Sequence, residues 1–129
     1  MRYQVNHIHL KSPDPDKTAR WYIDNFGAVI TNVQTASSGA HSIWMDLSGF
    51  RINVTGAGTG QVMPRGTSEV HYGLEHFGFD TDDIAADIAR LERAGTKILQ
   101  PIQRLGNGRQ IAYIEGPDDV LIEIVQPAG

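Results

Sequence analysis

Strand, helix and three further strands follow one another twice along this chain, and that internal repeat is what most limits the folds open to it. Residues 3–10 alternate as a strand, with Val5, His7 and His9 on one face and Ile8 and Leu10 on the other. Asp14 then suits a helix N-cap and Pro15 the first helical position, Trp21, Tyr22 and Phe26 supply apolar mass, and Gly27 suits the C-terminal glycine. Residues 29–33, 41–47 and 50–54 read as strands, with Ser48-Gly49 turning the last two. The second half restates the order. Residues 74–80 form a strand with Phe77 and Phe79 opposite His76. Asp82 opens a helix with Ile84, Ile88 and Leu91 on one stripe, closing at Gly95. Strands at 97–101, 110–114 and 120–125 complete it, turned by Gly116-Pro117-Asp118-Asp119.

An offset of 69 residues carries His7 onto His76 and Asp14 onto Asp83, and brings Gly27 and Asn53 within one residue of Gly95 and Glu123. The repeat predicts an α+β fold: paired βαβββ modules forming a cupped mixed sheet, with helices on its outer face. Module 1 spans about 1–57, a linker about 58–69, and module 2 about 70–129, together one domain. The joint between the modules, Thr55 to Ser68, contains Gly56-Ala57-Gly58-Thr59-Gly60. A Gly-x-Gly after a strand holds a dinucleotide only if a helix opens at once; Pro64 and Gly66 interrupt, so this segment reads as a loop.

Composition narrows the function classes. Cysteine is absent among the 129 residues, which excludes disulfides, thiolate metal sites and cysteine nucleophiles. Net charge is −4 and the basic residues are scattered, the opposite of a nucleic-acid footprint. No apolar run is long enough to span a membrane, and the first residues lack a signal-peptide pattern, so a soluble cytoplasmic protein is expected.

Five histidines are the unusual component. His7, His76 and Glu123 each sit on a strand, on the face opposite its hydrophobic residues, and the repeat places the two histidines on equivalent first strands. Two imidazoles and one carboxylate hold a divalent ion while leaving positions for substrate, water or dioxygen. The alternative for each is a satisfied core or rim residue. His9 shares the face of His7 and is a candidate acid–base group or a polar lining residue. Asn53, on the strand matching that of Glu123, suits a substrate oxygen or water better than a metal, and Arg51 on the same face suits an anionic substrate group. Tyr72, beside His71 ahead of the second module, is a candidate proton donor to an oxyanion; plain loop packing is the competing reading.

These residues resemble a known family. The segments Val5-Asn6-His7-Ile8-His9-Leu10, Leu74-Glu75-His76-Phe77-Gly78-Phe79 and Ile122-Glu123-Ile124 are similar to the two module starts and the closing hairpin of the vicinal oxygen chelate superfamily. That superfamily includes glyoxalase I, epimerases, extradiol dioxygenases, fosfomycin-modifying transferases and bleomycin resistance proteins. The resemblance implies a metal-holding cup, often in a homodimer, with His7, His76 and Glu123 at three ligand positions. The fourth position, Glu or Gln in glyoxalases and epimerases, falls at Asn53. A three-ligand site is what the dioxygenase and fosfomycin branches use, and residues 103–109 lack the potassium-binding loop of the latter.

The expectation is therefore a small metal-dependent enzyme, with an Fe(II) dioxygenase ahead, acting on a small molecule that chelates the metal through adjacent oxygens. Ni(II), Zn(II), Mn(II) and Co(II) are the alternative metals. A glyoxalase- or epimerase-like lyase or isomerase is the second reading, and a metal-free protein that sequesters a drug or metabolite is the third. Partners are a small-molecule substrate and a second copy of the chain, without nucleic acid or membrane.

Overall fold

The computed structural model describes residues 1–129 and divides them into two compact units, Met1–Pro64 and Arg65–Gly129. The first contains β1 (His7–Lys11), α1 (Pro15–Phe26), β2 (Val29–Thr35), β3 (His41–Leu47) and β4 (Phe50–Thr55). The second contains β5 (His76–Asp80), α2 (Ile84–Arg93), β6 (Lys97–Arg104), β7 (Gln110–Gly116) and β8 (Val120–Gln126). Each unit is thus a βαβββ module, and the expected mixed sheet is two four-stranded sheets, one per unit. Their orders are β1-β4-β3-β2 and β5-β8-β7-β6. In each, the first strand pairs in parallel with the last and the rest is antiparallel. No helix is long and apolar enough to cross a membrane.

The helix ends follow from local chemistry. Asp14 Oδ1 accepts from the Lys17 amide, Pro15 follows, and Gly27 ends α1 at φ 71°, the left-handed conformation that a side chain disfavours. The cap of α2 is Asp83 rather than Asp82, its Oδ1 accepting from the Ala86 amide at 3.1 Å. Each helix packs on its own sheet: α1 on β3 and β4, α2 on β6, β7 and β8. Tyr22, Ile43, Met45, Ile52 and Val54 are fully buried in the first unit, and Ile84, Leu91, Ile114, Ile122 and Ile124 in the second. Trp21 and Phe26 are only half-buried, and their rings meet tilted at a centroid distance of 5.5 Å.

Strand ends differ from the alternation pattern for identifiable reasons. β1 begins at His7, not residue 3, because its ladder with β4 begins at the His7–Arg51 pair; Tyr3 and Val5 lie outside it and are exposed. β6 continues through Pro101 to Arg104 instead of stopping there. As an edge strand with two register shifts against β7, it tolerates a residue that cannot donate.

Candidate metal centre

In the second unit, parallel pairing of β5 and β8 sets Gly78 beside Glu123, with His76 two residues earlier on the same face. A Cβ at Gly78 would stand 3.2 Å from the Glu123 carbonyl oxygen and 3.5 Å from its Cβ, so glycine keeps this strand contact clear. His76 Nε2 lies 3.2 Å from Glu123 Oε2, while His76 Nδ1 contacts Glu75 Oε1. Both imidazole nitrogens therefore face carboxylate oxygens, which only accept. A neutral imidazole has one N–H and can serve only one of the two carboxylates. The other contact then needs either a second proton or a cation. The Nε2–Oε2 separation is one that two ligands of a single ion span with bonds of about 2.1 Å. His76 Nε2 and Glu123 Oε2 would thus suit two positions of a divalent metal, with Glu75 against the other ring nitrogen.

Glu123 is itself held at both oxygens. The Tyr113 hydroxyl donates to Oε2 at 2.8 Å and Arg109 Nη2 approaches Oε1 at 3.4 Å. Tyr113 is the register partner of Glu123 on β7, and its ring meets that of His76 edge-on at 5.3 Å. Burial pushes the Tyr113 hydroxyl up to about 12, reinforced by its bond to Glu123 and by the negative charges of Glu123 and Glu75; Arg109 opposes the shift. It remains a donor throughout the physiological range.

The first unit repeats part of this design. His7 Nδ1 lies 2.8 Å from Asn6 Oδ1, so the residue before each histidine, Asn6 or Glu75, occupies its Nδ1. Arg51, the register partner of His7 on β4, donates from Nη2 to Asn6 Oδ1, lies 3.5 Å from His7 Nδ1, and stacks over Trp44 at 4.4 Å. Asn53, the register partner of His9, is buried and its Oδ1 has no hydrogen-bond partner. His9 Nε2 bonds Thr55 Oγ1 at 2.8 Å. Burial, then the positive charges of Lys11 and His7, lowers the His9 pKa below its ordinary 6.5, so its imidazole is neutral at pH 7.

The structure thus groups His7, His9, Arg51 and Asn53 on one sheet face of the first unit, and His76 with Glu123 in the second. No three His, Asp or Glu side chains form a ready metal-holding group, so the His76–Glu123 pair needs a further donor. Tyr72 is fully exposed in the segment ahead of β5. The hydroxyl beside Glu123 belongs to Tyr113. Alternation alone did not single out Tyr113, Glu75, Asn6, Arg109 or Trp44. Pairing the last two strands across their Gly116–Asp119 turn would have placed Tyr113 opposite Glu123, and the position before each histidine would have given Asn6 and Glu75.

The Glyoxalase/Bleomycin resistance protein/Dioxygenase superfamily model matches residues 4–124. The chain belongs to this superfamily. Among its relatives is glyoxalase I of Saccharomyces cerevisiae, 25% identical over an alignment covering 94% of this chain and 44% of the yeast protein. The chain spans less than half the length of the curated relatives it matches. A glyoxalase/bleomycin resistance/dioxygenase domain from a Frankia species superposes with a TM-score of 0.81 at 21% identity, covering 98% of this chain and 93% of the other. The fosfomycin resistance protein FosX of Listeria monocytogenes gives 0.74 at 18% identity, covering 98% and 95%. A variant of that Listeria protein was crystallised with Mn(II) and 1S,2S-dihydroxypropylphosphonic acid, so superfamily members bind divalent metals and small molecules. At these identities the structural likenesses establish the fold.

Proposed function

We propose that the chain is a small divalent-metal enzyme whose ligands are His7, His76 and Glu123, and that its favoured activity is Fe(II)-dependent dioxygenation of a small substrate chelating through adjacent oxygens. The observation that carries this reading is the His76–Glu123 pair, 3.2 Å apart with Glu75 already on the other ring nitrogen. His7 is the matching donor of the first unit, its Nδ1 likewise committed. Two imidazoles and one carboxylate form the ligand set of non-haem Fe(II) oxygenases. The ion would supply Lewis acidity towards the substrate oxygens and, as iron, electron transfer to dioxygen. The chain's own residues do the rest. Tyr113 and Arg109 hold Glu123, Glu75 orients His76, and Arg51 and Asn53 bind substrate. His9, neutral at pH 7, accepts a proton; its bond to Thr55 Oγ1 sets the ring.

A second reading is a metal-dependent lyase or isomerase. It is favoured by the similarity to yeast glyoxalase I and by the neutral His9, a base that such chemistry needs when Asn53 stands in place of a carboxylate. The test begins with elemental analysis of protein purified anaerobically without chelator, beside Glu123→Gln. About one divalent ion per chain, lost in the variant, supports the ligand set. An equal metal content in both would refute it. No metal in either, even after soaking with Fe(II), Zn(II) and Ni(II), turns the reading to a sequestering protein. Oxygen uptake coupled to turnover separates the dioxygenase from the lyase or isomerase, which turns over anaerobically.

A further inference from the structure

We infer that the sheet face around Arg51 is an anion subsite, so that the substrate carries an oxyanion, of carboxylate or phosphonate type, in addition to its chelating oxygens. This inference deepens the metal-enzyme reading and rests on it for the rest of the substrate. Three observations carry it. The guanidinium is set in place before any ligand arrives: it lies 4.4 Å from the Trp44 ring centroid and donates from Nη2 to Asn6 Oδ1. A solvated rim arginine is not tethered in this way.

The charge is also uncompensated. Arg20, Arg65, Arg90 and Arg109 each lie within 4.0 Å of a carboxylate oxygen, and of the four arginines without such a partner Arg2, Arg93 and Arg104 are exposed whereas Arg51 is half-buried. Asp46, its register partner on β3, has Oδ2 on the Gly49 amide instead. Arg51 Nε is buried and without a hydrogen-bond partner, and Asn6 is neutral. A half-buried guanidinium lacking a counter-ion is costly, and a two-oxygen anion presented to its planar fork removes much of that cost.

The scaffold, finally, does not require a charge at this position. Arg51 pairs with His7 as Leu121 pairs with His76, and Leu121 is buried. The second unit builds the same parallel strand pair with an apolar side chain, so the arginine serves something other than the fold. It lies 3.5 Å from His7 Nδ1, which puts the anion next to one of the metal ligands. In a chain of net charge −4, attraction for an anion must come from such a local cation.

The test uses metal-free, ¹⁵N-labelled full-length protein titrated separately with sodium phosphate and sodium acetate at constant pH and ionic strength. The readouts are the Arg51 Nε–H and Trp44 Nε1–H NMR signals. Expected is a saturable shift of both in the millimolar range. It should weaken about tenfold in Arg51→Lys, whose ammonium lacks the planar fork, and disappear in Arg51→Gln. The tighter of the two anions identifies the oxyacid class. A linear, unsaturating shift, or an Arg51→Lys protein that titrates like wild type, overturns the inference even if Arg51→Gln fails to fold. Metal content measured in parallel separates the two readings. Anion binding without metal uptake leaves the subsite standing and removes the metal enzyme. Metal uptake without anion binding does the reverse.

Discussion

Replacing Tyr113 with Phe removes one hydroxyl and tests how the Glu123 carboxylate is held. The hydroxyl donates to Oε2 at 2.8 Å, and a hydrogen bond to a charged group contributes ~1.5–3 kcal/mol. Tyr113 is half-exposed and Arg109 also serves Glu123, so the lower end applies, about 1.5 kcal/mol at pH 7. With a urea m-value of about 2 kcal/mol/M, the midpoint of metal-free Tyr113→Phe should fall by about 0.7 M. The pH dependence supplies the sharper check. The fold raises the hydroxyl from 10.0 to about 12, so the unfolded chain loses this proton first and stability falls as pH rises through that window. Tyr113's contribution is complete below pH 10 and lost as pH passes about 12. The wild-type advantage over Tyr113→Phe should therefore be constant from pH 7 to 9 and shrink towards zero by about pH 12, the other tyrosines cancelling in the difference. Far-UV circular dichroism is the suitable signal, because both tryptophans, Trp21 and Trp44, lie in the first unit. An advantage that stays level across that window, or none at pH 7, would refute the bond to Glu123.

Three further outcomes follow from the same geometry. Glu75→Gln leaves a neutral acceptor on His76 Nδ1, and competition with a chromophoric chelator should show Zn(II) affinity lower by about 10–100-fold with the stoichiometry unchanged. His9 should titrate by NMR with a midpoint below 6.5. Because the unfolded chain protonates there first, its contribution to stability is present above pH 6.5 and lost as pH falls, a loss absent from His9→Gln. Ile122→Ala empties a fully buried position under α2 and should cost ~2–5 kcal/mol in urea unfolding, whereas a cost below ~1 would mean that the β8 core face relaxes around the gap.

What could be read in the chain beforehand divides along the range of the interactions concerned. Caps and turns are local, so Asp14, Pro15, Gly27 and the Gly116–Asp119 turn were legible from neighbouring residues alone. The face on which each strand residue stands is also local, and His7, His9, Arg51, Asn53, His76 and Glu123 lie on the faces that alternation gives them. Strand ends are different. They depend on where the partner strand stops, which is why Tyr3 and Val5 fall outside β1 although they continue its alternation. The supporting residues were harder still. Tyr113 sits in an alternating strand with nothing local to distinguish it from packing, and its role arises from standing opposite Glu123. Glu75 and Asn6 lie just outside strands and act through the histidine that follows each.

The two units also separate what the scaffold demands from what the chemistry demands. Both keep a histidine at the start of the first strand, a side chain on its Nδ1 and an aromatic ring on the third strand of the module, Trp44 or Tyr113. Around that shared frame the partners change sign. Beside Glu123 stands Gly78, and the aromatic ring carries a hydroxyl that donates to the carboxylate. The corresponding place in the first unit has Asn53 beside His9, with an arginine lying on the indole. Equivalent backbone pairings therefore carry two carboxylates, Glu75 and Glu123, around the histidine of one unit and an arginine beside the histidine of the other. Packing alone would select neither, since both helix-facing sides are filled by the same kind of aliphatic residues, Ile52 and Val54 against Ile122 and Ile124.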